Sequence, residues 1–145
     1  MSIFSIATSG LSAASLRVNV AASNIANVQT TGPLPGSGGS SPSAVTGSPG
    51  IAPTFPTAYV PLRVDQVDQT PGGTIAKVST VSPSYTAQSD PSASFANQDG
   101  LVAAPNVDIA SEFVQLAAAK YSFIANAKVI QAYAETTESL LDITT

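Results

Sequence analysis

The N-terminal segment carries a seam of apolar side chains that repeats at alternating steps of three and four residues. This alternation is the heptad pattern of a helix that packs lengthwise against another helix. At 1.5 Å per residue the seam predicts a helix about 38 Å long, which ends where Gly32 and Pro33 supply stop signals. One heptad position is bulky and the other mostly small: Phe4, Leu11, Val18 and Ile25 alternate with Ala7, Ala14, Ala21 and Val28.

A second and longer helix is predicted near the C-terminal end. Asp108 is its expected N-cap, and Glu112 falls in the first turn, where the helix dipole favours an acid. Two stripes run side by side, so one can pack on the N-terminal helix and the other predicts a contact with a different chain. The first stripe is Ile109, Phe113, Leu116, Lys120, Phe123, Ala127, Ile130, Ala134, Thr137 and Leu141, and the second is Val114, Ala117, Tyr121 and Ile124.

The middle of the chain predicts little regular structure. Residues 31–57 are almost entirely Gly, Pro, Ser, Thr and Ala, which favours a flexible segment. Two β-prone runs, from Tyr59 to Val67 and from Thr74 to Val81, flank Pro71-Gly72-Gly73 and predict a hairpin. Turn signals make residues 82–105 loop-like.

The predicted fold is therefore mainly α, with the N- and C-terminal helices packed as an antiparallel coiled coil around a loop-rich middle that contains a small β-hairpin. The expected segments are a helix over 1–30, a flexible stretch over 31–57, a hairpin and loop region over 58–105, and a helix over 106–145.

The composition indicates a chain that buries much of its surface. Only 10% of the 145 residues are charged and the mean hydropathy is +0.22, whereas about 25% charged residues is typical of soluble domains. A membrane-spanning helix needs about 20 mostly apolar residues, and polar residues interrupt both terminal segments. Burial against partner chains is the better explanation. Because the first basic residue is Arg17, a secretory signal is not expected.

The residues that most catalytic sites use are missing. The chain has no His and no Cys, so neither disulfides nor the commonest acid–base chemistry are available. Glu135, Glu138 and Asp142 are interpreted as a solvated helix face, and Asp65 and Asp68 lack the further oxygen ligands of a calcium site. The net charge of −4 gives no footprint for nucleic acid. We expect no enzyme activity, no cofactor, no metal and no small-molecule substrate.

Three asparagines lie within the two apolar helical segments. Asn27 and Asn126 either bond locally to backbone or act as buried polar pegs that fix helix register, and the two interpretations are evenly balanced. For Asn24 the local or solvent-facing interpretation is favoured.

Both ends of the chain resemble a known family. The run from Ala7 to Asn27, with Ser9-Gly10-Leu11, Asn24-Ile25-Ala26-Asn27 and then Thr30-Thr31-Gly32, resembles the N-terminal signature of flagellar rod and hook proteins. The runs Ala125–Gln131 and Leu140–Ile143 resemble the C-terminal signature. Gly100 to Asp108, followed by Glu112, resembles a motif of the proximal rod members. The neutral stretch 31–57 departs from the family, which has a basic stretch there.

The resemblance implies a structural subunit of the bacterial flagellum basal body, in the proximal rod. Such a subunit is exported by the flagellar type III apparatus without a cleaved signal and self-assembles into a hollow axial drive shaft across the periplasm. Its partners would be other rod subunits and, at the rod base, export-gate and MS-ring proteins. The alternative is a small secreted binding or adhesin module with helical ends. The expected assembly interface comprises Phe4, Leu11, Val18, Ile25, Asn27, Phe113, Val114, Leu116, Tyr121, Phe123, Ile124, Asn126, Ile130 and Leu141.

Overall fold

Two long helices flank four short strands in the computed structural model, which describes residues 2–35 and 55–143. The strands form two separate two-stranded sheets, β1–β2 and β3–β4. Long terminal helices and a middle hairpin are thus confirmed, while most of the predicted flexible segment falls on 36–54, outside the described residues. The elements are α1 (Ile3–Ala26), β1 (Leu62–Asp68), β2 (Thr74–Thr80), β3 (Tyr85–Ser89), β4 (Leu101–Pro105) and α2 (Ile109–Ile143).

Helix α1 begins after Ser2, whose hydroxyl oxygen accepts a hydrogen bond from the Ser5 N–H at 3.3 Å, a normal N-cap arrangement. The helix ends at Ala26, two residues before the last seam residue, Val28. A turn follows, in which the Thr30 N–H donates to the Asn27 carbonyl at 3.0 Å. The helix is therefore slightly shorter than its heptad pattern.

The hairpin predicted from Pro71-Gly72-Gly73 is present. The connection between β1 and β2 is too short for a crossover, so the two strands run antiparallel. Gly72 and Gly73 have φ angles of 152° and 96°, which side-chain-bearing residues rarely adopt. The two glycines are thus required by the turn itself.

The loop predicted over 82–105 is wrong, because β3 and β4 pair within it. Tyr85 lies opposite Pro105 and Ser89 opposite Leu101, in antiparallel register. Strand β4 also pairs on its other side: Ala103 and Gly32 exchange two backbone hydrogen bonds, at 3.0 and 2.9 Å. Strands of five residues, built mostly from small side chains, have little intrinsic β-propensity. Non-local backbone pairing stabilises them instead.

Helix α2 begins as predicted, with Asp108 as its N-cap. The Asp108 carboxylate accepts hydrogen bonds from the Ala110 N–H at 3.1 Å and from the Ser111 hydroxyl at 2.6 Å. The Ser111 hydroxyl, followed by the Ala110 N–H, holds the pKa of the Asp108 carboxyl below its usual value. No helix in the ranges 2–35 and 55–143 is long and apolar enough to cross a membrane.

The chain divides into two compact units. One unit contains α1, the β1–β2 hairpin and α2. The other contains the β3–β4 pair with the segments that follow α1 and precede β1, and its buried residues include Val102 and Ala103. In that second unit the rings of Phe55 and Phe95 lie 6.3 Å apart.

Candidate functional site

The β1–β2 hairpin lies lengthwise along α1. Fifteen residues of α1 separate its first and last hydrogen bonds to the hairpin, a span of about 22 Å. Strand β1 covers a similar distance, about 20 Å at 3.3 Å per residue. The bonds join Asn24 to Leu62 at 3.0 Å, Arg17 to Gln66 at 2.6 Å and Ser9 to the Thr74 N–H at 3.1 Å. Because the partner in the hairpin comes later in the chain as the residue on α1 comes earlier, strand β1 and α1 run in opposite directions.

Asn24 connects three elements and is fully buried, with an exposed fraction of 0%. Its Oδ1 accepts the Leu62 N–H at 3.0 Å, and its Nδ2 donates to the Leu62 carbonyl and to Glu112 Oε1, both at 2.7 Å. Leu62 begins β1 and Glu112 lies in the first turn of α2. A buried amide with its partners in place holds α1, the hairpin and α2 in one arrangement.

A second close approach of the two helices occurs at Gly10. A Cβ atom added there would lie 2.5 Å from Asn126 Oδ1 and 2.7 Å from its Cγ, so only glycine fits without a shift. The Asn126 Nδ2 donates to the Ser122 carbonyl at 2.8 Å. Fourteen residues separate Gly10 from Asn24 on α1, and fourteen separate Glu112 from Asn126 on α2. The two contacts therefore share a single antiparallel register.

Two grooves border these helices. The first, of about 520 Å³, is almost entirely apolar and is called here the apolar groove; it is lined by Val18, Leu116, Ala117, Lys120, Phe123 and Ile124. The second, of about 390 Å³, is half polar and lies between α1, the hairpin and α2, where Arg17, Gln66 and Asn126 are among its lining residues. The lining of the apolar groove contains one cationic group, Lys120.

The buried apolar residues of the described chain are small and many of its large apolar residues are exposed, which is the reverse of an ordinary soluble domain. Seven of the nine buried hydrophobic residues in the described chain are alanines, and the other two are valines. Large side chains are instead exposed, and ten of them lie on α2, which has the single buried residue Ala119 in its described part. Scattered exposed apolar residues are normal in soluble proteins, whereas large exposed apolar patches are typical of interaction sites. The list on α2 is Ile109, Phe113, Val114, Tyr121, Phe123, Ile124, Val129, Tyr133, Leu140 and Leu141.

Several of the expected interface residues come together. Val18, Leu116, Phe123 and Ile124 all line the apolar groove, and Asn126 lies against Gly10. The structure leaves Phe113, Val114, Tyr121 and Leu141 exposed, together with Phe4 on α1. Leu11, Ile25 and Ile130 are half-buried, and Asn27 lies in the turn after α1 rather than in either helix.

Sequence reasoning missed Asn24 as a buried peg and Glu112 as its partner. The face of α1 that is buried contains the small seam residues Ala7, Ala14 and Ala21 together with Ala13, Val20 and Asn24. The bulky seam residues lie at the edge of that face and stay partly exposed. The sequence contained part of this information, because a row of small residues on α1 indicates that another helix approaches it closely. The row of small residues does not indicate which polar side chain is buried beside it.

Little in the described chain suggests catalysis. No group of three or more His, Cys, Asp or Glu side chains that could hold a metal lies within residues 2–35 and 55–143. The ion pair between Arg63 and Asp65, 3.4 Å apart, is largely exposed, and the Ser79 hydroxyl donates to the same carboxylate. An exposed pair of this kind contributes little to stability.

Comparison with known proteins gives matches at both ends of the chain and across it. Residues 4–33 match the family described as flagella basal body rod protein, and residues 98–143 match the family described as flagellar basal body rod FlgEFG protein C-terminal. The chain is 35% identical over 136 residues to the flagellar basal-body rod protein FlgC of Salmonella typhimurium, covering 90% of this chain and 87% of that protein. It is 30% identical over 141 residues to FlgC of Yersinia enterocolitica, covering 97% and 92%.

Proposed function

The chain belongs to the flagellar basal-body rod protein family and is a FlgC-like structural subunit of the flagellum basal body, and from this premise we propose how it builds the rod. Helices α1 and α2 pack as an antiparallel coiled coil, and neighbouring rod subunits cover the apolar surface that α2 leaves open. The product is a hollow axial drive shaft. The subunit reaches it through the flagellar type III apparatus, and subunits at the rod base contact export-gate and MS-ring proteins.

One observation carries this proposal, namely the inversion of buried alanines and exposed large apolar residues. Full burial of a Val, Leu, Ile or Phe side chain contributes about 1.5–3 kcal/mol. Ten large aliphatic or aromatic side chains are exposed on α2. Their burial would therefore contribute free energy to assembly that the isolated chain does not gain on folding. A subunit that completes its core only with neighbours requires this distribution, whereas a free soluble monomer would bury these residues itself.

The antiparallel coiled coil is supported by the two helix contacts in one register, at Asn24–Glu112 and at Gly10–Asn126. Gly10 lies against Asn126, and Ala119, which is seven residues from both Glu112 and Asn126, is fully buried. Small residues on a facing seam permit helices to approach closely. The alternative of a secreted binding or adhesin module is not favoured, since the chain aligns with rod proteins over 90% of its length.

The test uses the bacterium that encodes the chain, with the chromosomal copy deleted and variants supplied in its place. Ile124→Asp puts a charge on the apolar groove, where a docked neighbour would bury it at high cost. Gln115→Asp is the matched control, because Gln115 is a polar residue that is also exposed on α2 and does not line the groove. We expect Ile124→Asp to be made and exported at normal levels and yet to be missing from isolated basal bodies, while Gln115→Asp is incorporated.

Swimming and basal-body content are both measured. Wild-type motility and normal incorporation of Ile124→Asp would refute assembly through this surface. The rod function itself would be refuted by two results together. The native chain would be found only outside the basal body, and cells that lack the gene would swim normally.

A further inference from the structure

The far end of α2 extends beyond its partner helix. In the register set by the contacts at Asn24 and Gly10, Ile3 at the start of α1 lies opposite Tyr133. Helix α2 continues for ten more residues, about 15 Å, to Ile143. We call residues 134–143 the C-terminal overhang. Every described side chain from Gln131 to Asp142 is exposed, so this part of α2 gains little from packing within its own unit.

The overhang combines apolar and acidic groups. Leu140 and Leu141 are 61% and 64% exposed, and the charged residues of the overhang are Glu135, Glu138 and Asp142. Glu138 and Leu141 are three residues apart, so their side chains are neighbours on one face of the helix. The overhang therefore presents a leucine beside a carboxylate on a single surface.

The apolar groove has the complementary chemistry. Its lining is apolar apart from Lys120, whose side chain is exposed. Leu116 and Phe123 offer an apolar floor for a leucine, and the Lys120 ammonium offers a counter-charge for an acid. The leucine of the overhang matches the apolar floor of the groove, and its carboxylate is opposite in charge to the Lys120 ammonium.

We propose that the C-terminal overhang of one copy of this chain docks in the apolar groove of a second copy, with Leu141 against Leu116 and Phe123 and with Glu138 facing Lys120. The inference rests on the proposed function, since it names which surfaces of neighbouring subunits meet. The two surfaces differ, so the contact is head to tail, and repetition of such a contact gives an open helical array rather than a closed pair.

Cysteine crosslinking tests the contact directly, because the chain has no native cysteine. Two tagged versions, Ile124→Cys and Leu141→Cys, are co-expressed in place of the native chain, and isolated basal bodies are oxidised mildly. A disulfide needs Cα atoms within about 7 Å, whereas residues 124 and 141 of one straight helix are about 26 Å apart. We expect a disulfide-linked pair that contains both tags. Thr136→Cys, exposed on another face of α2, replaces Leu141→Cys as the control and should not crosslink.

A charge exchange tests the electrostatic half. Lys120→Glu or Glu138→Lys alone should lower the crosslinking yield about five-fold, as expected for a surface ion pair, and the double variant should restore it. Crosslinks of Ile124→Cys to Phe4→Cys in place of Leu141→Cys would show that a neighbour's α1 fills the groove and would overturn the inference. Recovery of both cysteine chains in basal bodies without the 124–141 crosslink would overturn it too. Absence of the native chain from isolated basal bodies would instead count against the proposed function.

Discussion

The buried amide of Asn24 gives the sharpest energetic prediction. In Asn24→Ala the Leu62 N–H, the Leu62 carbonyl and the Glu112 carboxylate each lose a hydrogen bond made at 3.0 Å or less. A buried polar group left without its partner costs about 1–3 kcal/mol. Leu62 and Glu112 are only half-buried, so water reaches part of the site and the lower end of that range applies. The total is about 3 kcal/mol.

Because about 1.4 kcal/mol corresponds to a factor of ten, the loss predicts about a hundredfold disadvantage in any equilibrium that requires the three elements to be assembled. The assay is a competition. A variant and a tagged wild-type chain are expressed at equal levels in one cell, and their ratio in isolated basal bodies is measured by quantitative mass spectrometry of tryptic peptides.

Asn19→Ala is the matched control, since Asn19 is on the same helix and exposed, and it should compete within about two-fold of wild type. Asn24→Asp keeps the acceptor for the Leu62 N–H but removes the amide donor and places a carboxylate beside Glu112, so it should compete no better than Asn24→Ala. If Asn24→Ala competes as well as Asn19→Ala, the amide does not hold the three elements together.

Three further outcomes follow from the helices. Gly10→Ala should reduce incorporation, because the overpacking cost of about 1–3 kcal/mol exceeds the gain in helix propensity, and Asn126→Ala in the same chain should reverse the loss. Ala119→Leu should reduce incorporation by overpacking, whereas Ala118→Leu on the exposed face should not; equal behaviour of the two would contradict the helix packing. The lowered pKa of Asp108 means that its capping contribution is complete above the pKa of the unfolded carboxyl and is lost as the pH falls through the lower folded-state pKa. Circular dichroism of the full chain should therefore show a loss of helix on acidification, and this loss should be smaller in Asp108→Asn.

Local patterns predicted the elements that local forces determine. The heptad seam and the Asp108 cap locate α1 and α2 because periodicity and capping act within a few residues. The glycines after Pro71 locate the β1–β2 turn for the same reason. The exposed stripe around Tyr121 was also predicted, since a helix that is apolar over more than one face needs more than one neighbour.

Non-local contacts account for what the sequence did not show. The partners of Asn24 lie 38 and 88 residues away along the chain, so no window around position 24 contains them. The same holds for β4, whose Ala103 pairs with Gly32 as well as with Ala87. Turn signals dominate residues 82–105, and they hid two strands whose stability comes from that pairing.

The hydrogen bonds described above between α1 and the hairpin lie at three positions along α1, and this spacing has a mechanical consequence for the proposed rod. A rotating shaft carries torque as shear between elements that lie side by side. Bonds spread over about 22 Å of α1, at Asn24, Arg17 and Ser9, share such a load in parallel, because sliding the strand along the helix strains all three together. Peeling the hairpin from its tip would load them one at a time, beginning at Ser9. The subunit should therefore resist shear along the helix axis far better than it resists unzipping.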